Sequence, residues 1–345
     1  MMRYRSCRSK LGVALASLLI QTGSSPIRAA EVDQFTGRFD EPPADSSTEI
    51  NRRCNELLLA AVEAANQLEG RGWQRGDQRA REARLYKQMR KEFNNHIRSD
   101  FVMELIERGE EIEGIELRYI RKEESIFADW KLGDGVVIAG RRADENPLAL
   151  SPLIRIGEVT IGVDKIEHLF ERGWKCFENK YRLGMSDAQV ISLSLFSEKV
   201  IFGGNRFATG VFSYADIVAN FNGMRFWNAV VQNHDDILGA AHNAGPYVIW
   251  ADGTWRVNPE KPIDLRHFVD WGMDEGINCS RYASRSGARK VREALEELNQ
   301  RDPEHEYNCP MEPEKLHAMR RKYGRYADRM LNYDGIGRRG LIFER

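Results

Sequence analysis

Apolar residues along this chain recur mostly with a helical period. Leu57, Leu58, Ala61, Val62 and Ala65 share one side of a run that opens with Ser46-Ser47-Thr48-Glu49, a capping-box pattern, which predicts a helix to about Leu68. Gly70, Gly72 and Gly76 close it. From Asp77 to about Glu107, the residues Leu85, Met89, Phe93, Ile97, Phe101 and Leu105 repeat every four positions, the stripe of a long core-facing helix. His96 sits beside that stripe as a packed or surface residue. Two stretches alternate instead. Leu153 to Ile156, a Gly157-Glu158 turn and Val159 to Ile161 predict one β-hairpin, and Tyr247 to Trp250, Ala251-Asp252-Gly253 and Thr254 to Val257 a second. The hairpins are expected to join one small sheet. Further helices are predicted from Trp227 to Ala241, Pro262 to Gly272, Arg281 to Leu298 and Pro313 to Asn332, whereas Gly114 to Trp130 fits strand or helix equally. The predicted fold class is α+β and predominantly helical, a bundle-like core with one or two hairpins. It forms a single domain over 46–335, with 336–345 as a tail.

The first thirty residues carry a different pattern. Arg3, Arg5, Arg8 and Lys10 precede an apolar run from Leu11 to Ile20, and small residues lead to Ala29-Ala30: the layout of an export signal, with cleavage near Ala30. The polar stretch 31–45, with Pro42-Pro43, reads as a flexible linker. The expected location is therefore the periplasm or cell envelope, with no transmembrane helix after the signal. Basic and acidic residues nearly balance over the whole chain, at 51 and 52, and the signal removes basic residues only. The exported remainder is thus moderately acidic, which argues against nucleic acid as a partner.

Four cysteines follow the signal. In an oxidising compartment an even number favours disulfides. Cys279 and Cys309 flank one predicted helix and are expected to pair, which leaves Cys54 with Cys176. No C-x-x-C occurs, so a structural zinc knot is not expected.

The candidate chemistry lies between Ile161 and Trp227. Gly162-Val163-Asp164-Lys165-Ile166-Glu167-His168-Leu169-Phe170-Glu171 is followed by Thr209-Gly210-Val211-Phe212-Ser213-Tyr214-Ala215-Asp216-Ile217-Val218-Ala219-Asn220-Phe221-Asn222-Gly223. On helices, Asp164 and His168 share one face, as do Asp216, Asn220 and Gly223, and the glycine permits close backbone approach. The two motifs, in this order, resemble those of a group of uncharacterised bacterial envelope proteins. More distantly, D-K-x-x-H with a later D-x-x-A-N-x-x-G is similar to VanZ-like membrane proteins. The resemblance implies an envelope family and almost no activity.

Asp164, Lys165, His168, Glu171, Ser213, Asp216 and Asn220 thus form a candidate polar cluster with three readings. Buried hydrogen bonds that fix helix pairing give a structural or binding role in the envelope, the main expectation. The alternative is a hydrolase-like or metal-dependent enzyme acting on an envelope component. There, His168 is an acid or base oriented by Asp164 or Asp216, with Lys165 or Arg206 holding an anionic substrate. In the metal form, Asp164, His168 and Asp216 bind a divalent ion. Ser213 is not in a G-x-S-x-G elbow, and no phosphate-binding glycine loop with its lysine is present. His234, Asp235, Asp236 and His242 are metal-competent types without a metalloprotease spacing. The acidic run Glu107, Glu110, Glu111, Glu113 and Glu116 lacks the spacing of a calcium loop. Arg320, Arg321, Lys322 and Arg325 give the last helix a basic face, a surface for solvent or for an anionic envelope component.

Overall fold

A computed structural model describes residues 31–69, 77–93, 101–140, 150–201 and 203–336. The expected signal segment, Gly70 to Gly76, His96, Ile97 and most of the tail lie outside the described residues. The architecture is the expected mostly helical α+β fold with small antiparallel sheets.

Helix α1 (Ser47–Glu69) buries Ile50, Cys54, Leu58, Ala61, Val62 and Ala65 against α2 (Gln78–Phe93), which returns Leu85, Tyr86, Met89 and Phe93. Its start is held by Asp45 rather than by the Ser46 to Glu49 box. The Asp45 carboxylate accepts from the Ser47 amide at 2.9 Å and the Gly157 amide at 2.8 Å, while Glu49 turns out to Arg53. The stripe expected to run on to Glu107 is taken up again by α3 (Phe101–Arg108), where Phe101 and Leu105 are buried, and the short α4 (Val136–Gly140) follows.

Strand β1 (Leu117–Arg118), from the segment that fitted strand or helix, pairs antiparallel with β2 (Leu153–Ile156), and β2 pairs with β3 (Val159–Gly162) as the predicted hairpin. The second predicted hairpin, β5 (Val248–Ala251) with β6 (Thr254–Val257), also forms but does not join this sheet. Its edges are satisfied elsewhere: the Val248 amide donates to Val230, and the Asn66 side chain on α1 exchanges two 2.9 Å hydrogen bonds with the Trp255 backbone. A third pair, β4 (Val211–Phe212) with β7 (Arg281–Tyr282), ties the second motif to the C-terminal third.

The stretch expected to be a flexible linker is a packed strap. Glu31, Val32, Asp33, Gln34 and Phe35 are all buried. Asp33 accepts from the amides of Phe35 and Ile126, Gln34 bridges Thr160 and Glu275, and Arg38 pairs with Asp274 at 3.0 Å. Its polarity serves specific partners rather than solvent, which composition alone does not show.

At the centre lies a continuous helix over 163–182, α5, beside α7 (Tyr214–Ala229), and α6 (Asp187–Val200) connects them in the chain. Helix α5 alternates α and π segments, the first π segment being His168–Arg172. α5 and α7 are parallel: Lys165 meets Asp216, His168 meets Asn220, Gly173 meets Gly223 and Trp174 meets Trp227. A Cβ on Gly223 would fall 2.0 Å from the Leu169 carbonyl oxygen and 2.7 Å from the Gly173 Cα, so both glycines are required for the approach. Every residue from Ala215 to Ala229 is buried, so α7 is the axis of the molecule and has no solvent face to pattern.

Three predicted helices differ from the fold. The α7 helix stops near Ala229 instead of continuing to Ala241, because buried Arg225 needs a carboxylate and the following loop folds back to place Asp236 at 3.0 Å from it. From Pro262 to Gly272 the chain makes 3-10 turns at Leu265–His267 and Trp271–Met273. Asp264 and Asp270 each bond the amide two residues on, a local alternative to helix, although Leu265, Phe268 and Val269 point inward as expected. The last helix divides at Gly324, whose φ is 51°, into α9 (Pro313–Tyr323) and the short α10 (Ala327–Met330), after α8 (Arg285–Arg301). Cys279 and Cys309 form the expected disulfide, whereas Cys54 and Cys176 are buried free thiols on different helices.

Candidate functional site

The site grows from the N-terminal turns of α5 and α7. Ser213 caps α7 by accepting the Asp216 amide at 3.1 Å, and Ser151 holds the start of α5 by accepting the Asp164 amide at 3.0 Å. These contacts place Asp164, Lys165, His168, Asp216 and Asn220 together, as the motifs predicted.

Lys165 is fully buried, with Nζ 2.7 Å from Asp164 Oδ2, 2.6 Å from Asp216 Oδ1 and 2.6 Å from Glu275 Oε1. Burial alone works against its charge, but the carboxylates of Asp164, Asp216 and Glu275 hold the ammonium well above its usual pKa. The Asp216 contact joins the second motif to the first through this one ammonium. Glu275 is further held by the hydroxyls of Ser213 at 2.8 Å and Ser280 at 3.0 Å.

His168 lies on the other side of Asp216. Its Nδ1 is 3.0 Å from Asn220 Oδ1, and the Asn220 amide nitrogen donates to Ser194 Oγ at 3.0 Å, so the amide oxygen faces the imidazole and Nδ1 carries the proton. Nε2 faces Asp216 Oδ2, 3.3 Å away. An imidazole nitrogen and a carboxylate at that separation share a cation, either a proton on Nε2 or a metal ion. Glu198, from α6, completes the group: one ligand atom each from His168, Glu198 and Asp216 lie within 4.8 Å of one another. Ligand atoms of Asp164, Asp216 and Glu275 also lie within 4.8 Å of one another, but Lys165 Nζ already stands where their charge converges.

The remaining acids are deeply desolvated. Burial, reinforced by the charges of Glu275 and Asp216, pushes the Glu31 carboxyl well above the usual range, and burial with Asp216 does the same to Glu198. Glu275 is raised, also by burial first. Asp216 goes the other way: burial opposes its charge, but His168 and Lys165 hold it below the usual range. The Thr209 hydroxyl donates to Glu31 Oε1 and also lies 3.0 Å from the Gly203 carbonyl.

Several predicted residues stand apart. Glu171 lies 3.6 Å from Arg172 rather than in the cluster, and Arg206 is exposed on the loop after α6. Asp236 is committed to Arg225, Asp235 accepts from Asn243, His234 stacks on Tyr181, and His242 sits in a surface 3-10 turn. Glu31, Glu198 and Glu275 were missed because they come from three segments remote in sequence. Glu198 alone left a trace, as a single acid near the end of the apolar run from Val190 to Val200. Compared with family models, curated protein sequences and solved structures, the chain has no match.

Proposed function

We propose that His168, Glu198 and Asp216 hold one divalent cation and that the protein is a metal-dependent, hydrolase-like enzyme of the bacterial cell envelope. The observation that carries this reading is the His168 imidazole: its Nδ1 is held by Asn220 Oδ1, and its Nε2 faces two buried carboxylates. A carbonyl oxygen bonded to the far nitrogen is the usual support of a metal-binding histidine. One imidazole and two carboxylates suit a first-row ion such as Zn²⁺ or Mn²⁺. Such a cation supplies Lewis acidity while leaving coordination positions for water and substrate. His168 is the most solvent-exposed of the three ligands, at 19% of its side chain, and the π segment begins at this residue, a distortion that recurs at functional sites. The other half of the cluster, around Lys165, is structural: an internal ammonium serves there in place of a metal. The N-terminal export pattern and the Cys279–Cys309 disulfide support the envelope location, because disulfides persist in oxidising compartments.

The test is elemental analysis of protein purified without chelator, followed by thermal melts after addition of Zn²⁺ or Mn²⁺. One equivalent of metal, lost in His168→Ala and Glu198→Gln, with a chelator-sensitive melting temperature, is expected and would justify screening hydrolase substrates. Protein that retains no metal and gains no stability from either ion would leave the cluster as a packing network.

A further inference from the structure

A different part of the molecule points to a partner. Helix α6 has two unlike sides. Its inner side carries Ser194 to Asn220 and Glu198 to the cluster, whereas its exposed positions are Ala188, Gln189, Ser192, Leu193, Phe196 and Val200, none of them charged. Leu193, Phe196 and Val200 are 45, 57 and 42% exposed, and the chain continues into Ile201 at 48%. The loop that follows adds Phe207 at 82%. This loop is pinned, because the amides of Val136 and Val137 donate to the carbonyls of Arg206 and Ala208, both at 2.9 Å, and the Phe207 amide donates to Asn205 Oδ1 at 3.0 Å. The phenyl ring is thus held out in water by ordered backbone. Scattered exposed apolar residues are ordinary, but an uncharged exposed helix face that continues into a protruding phenyl ring is not.

The rim of this face is cationic. Lys180 and Arg325 reach Asp187 at the start of α6, and Arg329 donates to the Ala188 carbonyl at 3.0 Å and to Ser192 Oγ at 2.9 Å. Arg206 stands beside Phe207 at the other end of the face. An apolar centre with protruding aromatic and aliphatic side chains and an Arg/Lys border matches a bilayer surface with anionic headgroups: apolar groups enter the acyl boundary while the cations meet the lipid charge. We infer that the outer face of α6, with the Phe207 loop, docks this protein peripherally on an anionic membrane surface. No helix among the described residues is long and apolar enough to span a membrane, so attachment through this face is interfacial. The inference does not depend on the metal reading. It places the inner cluster about one helix diameter, roughly 10 Å, behind the lipid-facing side chains.

The experiment is co-sedimentation of the naturally processed protein with vesicles of phosphatidylcholine alone or with added phosphatidylglycerol, at low and high salt. Binding is expected only to the anionic vesicles and is expected to weaken with salt. The double variant Phe196→Ser/Phe207→Ser and the single variant Arg206→Glu should each bind about tenfold more weakly, with melting temperature and metal content unchanged, since these side chains are exposed. Absence of wild-type binding, or variants that bind like wild type, would overturn the inference. So would a wild-type dimer in light scattering that becomes monomeric in the double variant, because the face would then belong to a second copy of this chain.

Discussion

His168 Nδ1 lies 3.0 Å from Asn220 Oδ1, and this one hydrogen bond decides which nitrogen the site can use. Asn220 is itself fixed by Ser194 on α6, so three helices cooperate in aiming Nε2. Replacing Asn220 with alanine removes the orienting acceptor and leaves the ligands in place. Metal affinity, measured by competition with a calibrated chelator, should fall about 10–100-fold. An unchanged affinity would mean the imidazole is not acting as a ligand.

Lys165→Met probes the structural half. It removes the ammonium from Asp164, Asp216 and Glu275 and strands their charge in the interior, which should cost about 3–5 kcal/mol in urea unfolding. A variant as stable as wild type would show that the carboxylates neutralise themselves by binding protons.

Gly223→Ala should be damaging despite its small size. The added methyl would meet the Leu169 carbonyl oxygen at 2.0 Å, and backbone on both sides has nowhere to move. The loss expected is about 3 kcal/mol or more, at or beyond the upper end of ordinary overpacking, read as a lower urea midpoint. A midpoint within error of wild type would show that α5 and α7 can separate without cost.

Two buried acids give opposite pH dependences in chelator-treated protein. Burial, then the charges of Glu275 and Asp216, raise the Glu31 pKa, so the folded state keeps a proton that the unfolded chain releases near pH 4. Its contribution is complete below the unfolded value and is lost as pH rises towards the folded one, and Glu31→Gln should flatten that decline. For Asp270 burial opposes ionisation, but Lys322 and the hydroxyl of Tyr323 hold the carboxyl below its usual range. Its contribution is present above the unfolded value and is lost as pH falls through the folded one, so Asp270→Asn should flatten the acid limb. Urea midpoints across the pH range read both slopes. The same slopes in variant and wild type would refute the assignment.

The cysteines separate cleanly. Reducing the Cys279–Cys309 bridge opens a closure spanning 30 residues and should cost about 3–4 kcal/mol. Burial raises the thiol pKa of Cys54, and that of Cys176 to about 12, so neither should react with a thiol reagent until the protein unfolds. Rapid labelling of either thiol in the native state would contradict this burial.

Much of the fold was legible locally. The stripes of α1 and α2 and the alternation in both hairpins are periodicities that neighbouring residues impose on one another. Likewise, Asp164, His168, Asp216 and Asn220 could be matched because each pair sits one helical turn apart. Elsewhere local pattern misled. The polarity of 31–45 reads as solvation, yet Asp33 and Gln34 are spent on buried partners. The run to Ala241 reads as helix, yet Arg225 draws the loop back.

By itself the sequence determined the stripes of α1 and α2, both hairpins, the Cys279–Cys309 pair and the two helices that carry a matched polar face beside a glycine. Those properties depend on residues near one another in the chain. Only the tertiary structure decided that Glu31, Glu198 and Glu275 converge on that face, that Lys165 fills one acidic set, and that His168 turns Nε2 to the other. Desolvation is the physical reason: a carboxylate from a distant segment acquires an altered charge only when packing removes its water, and no spacing in the chain records which distant residues will share that interior.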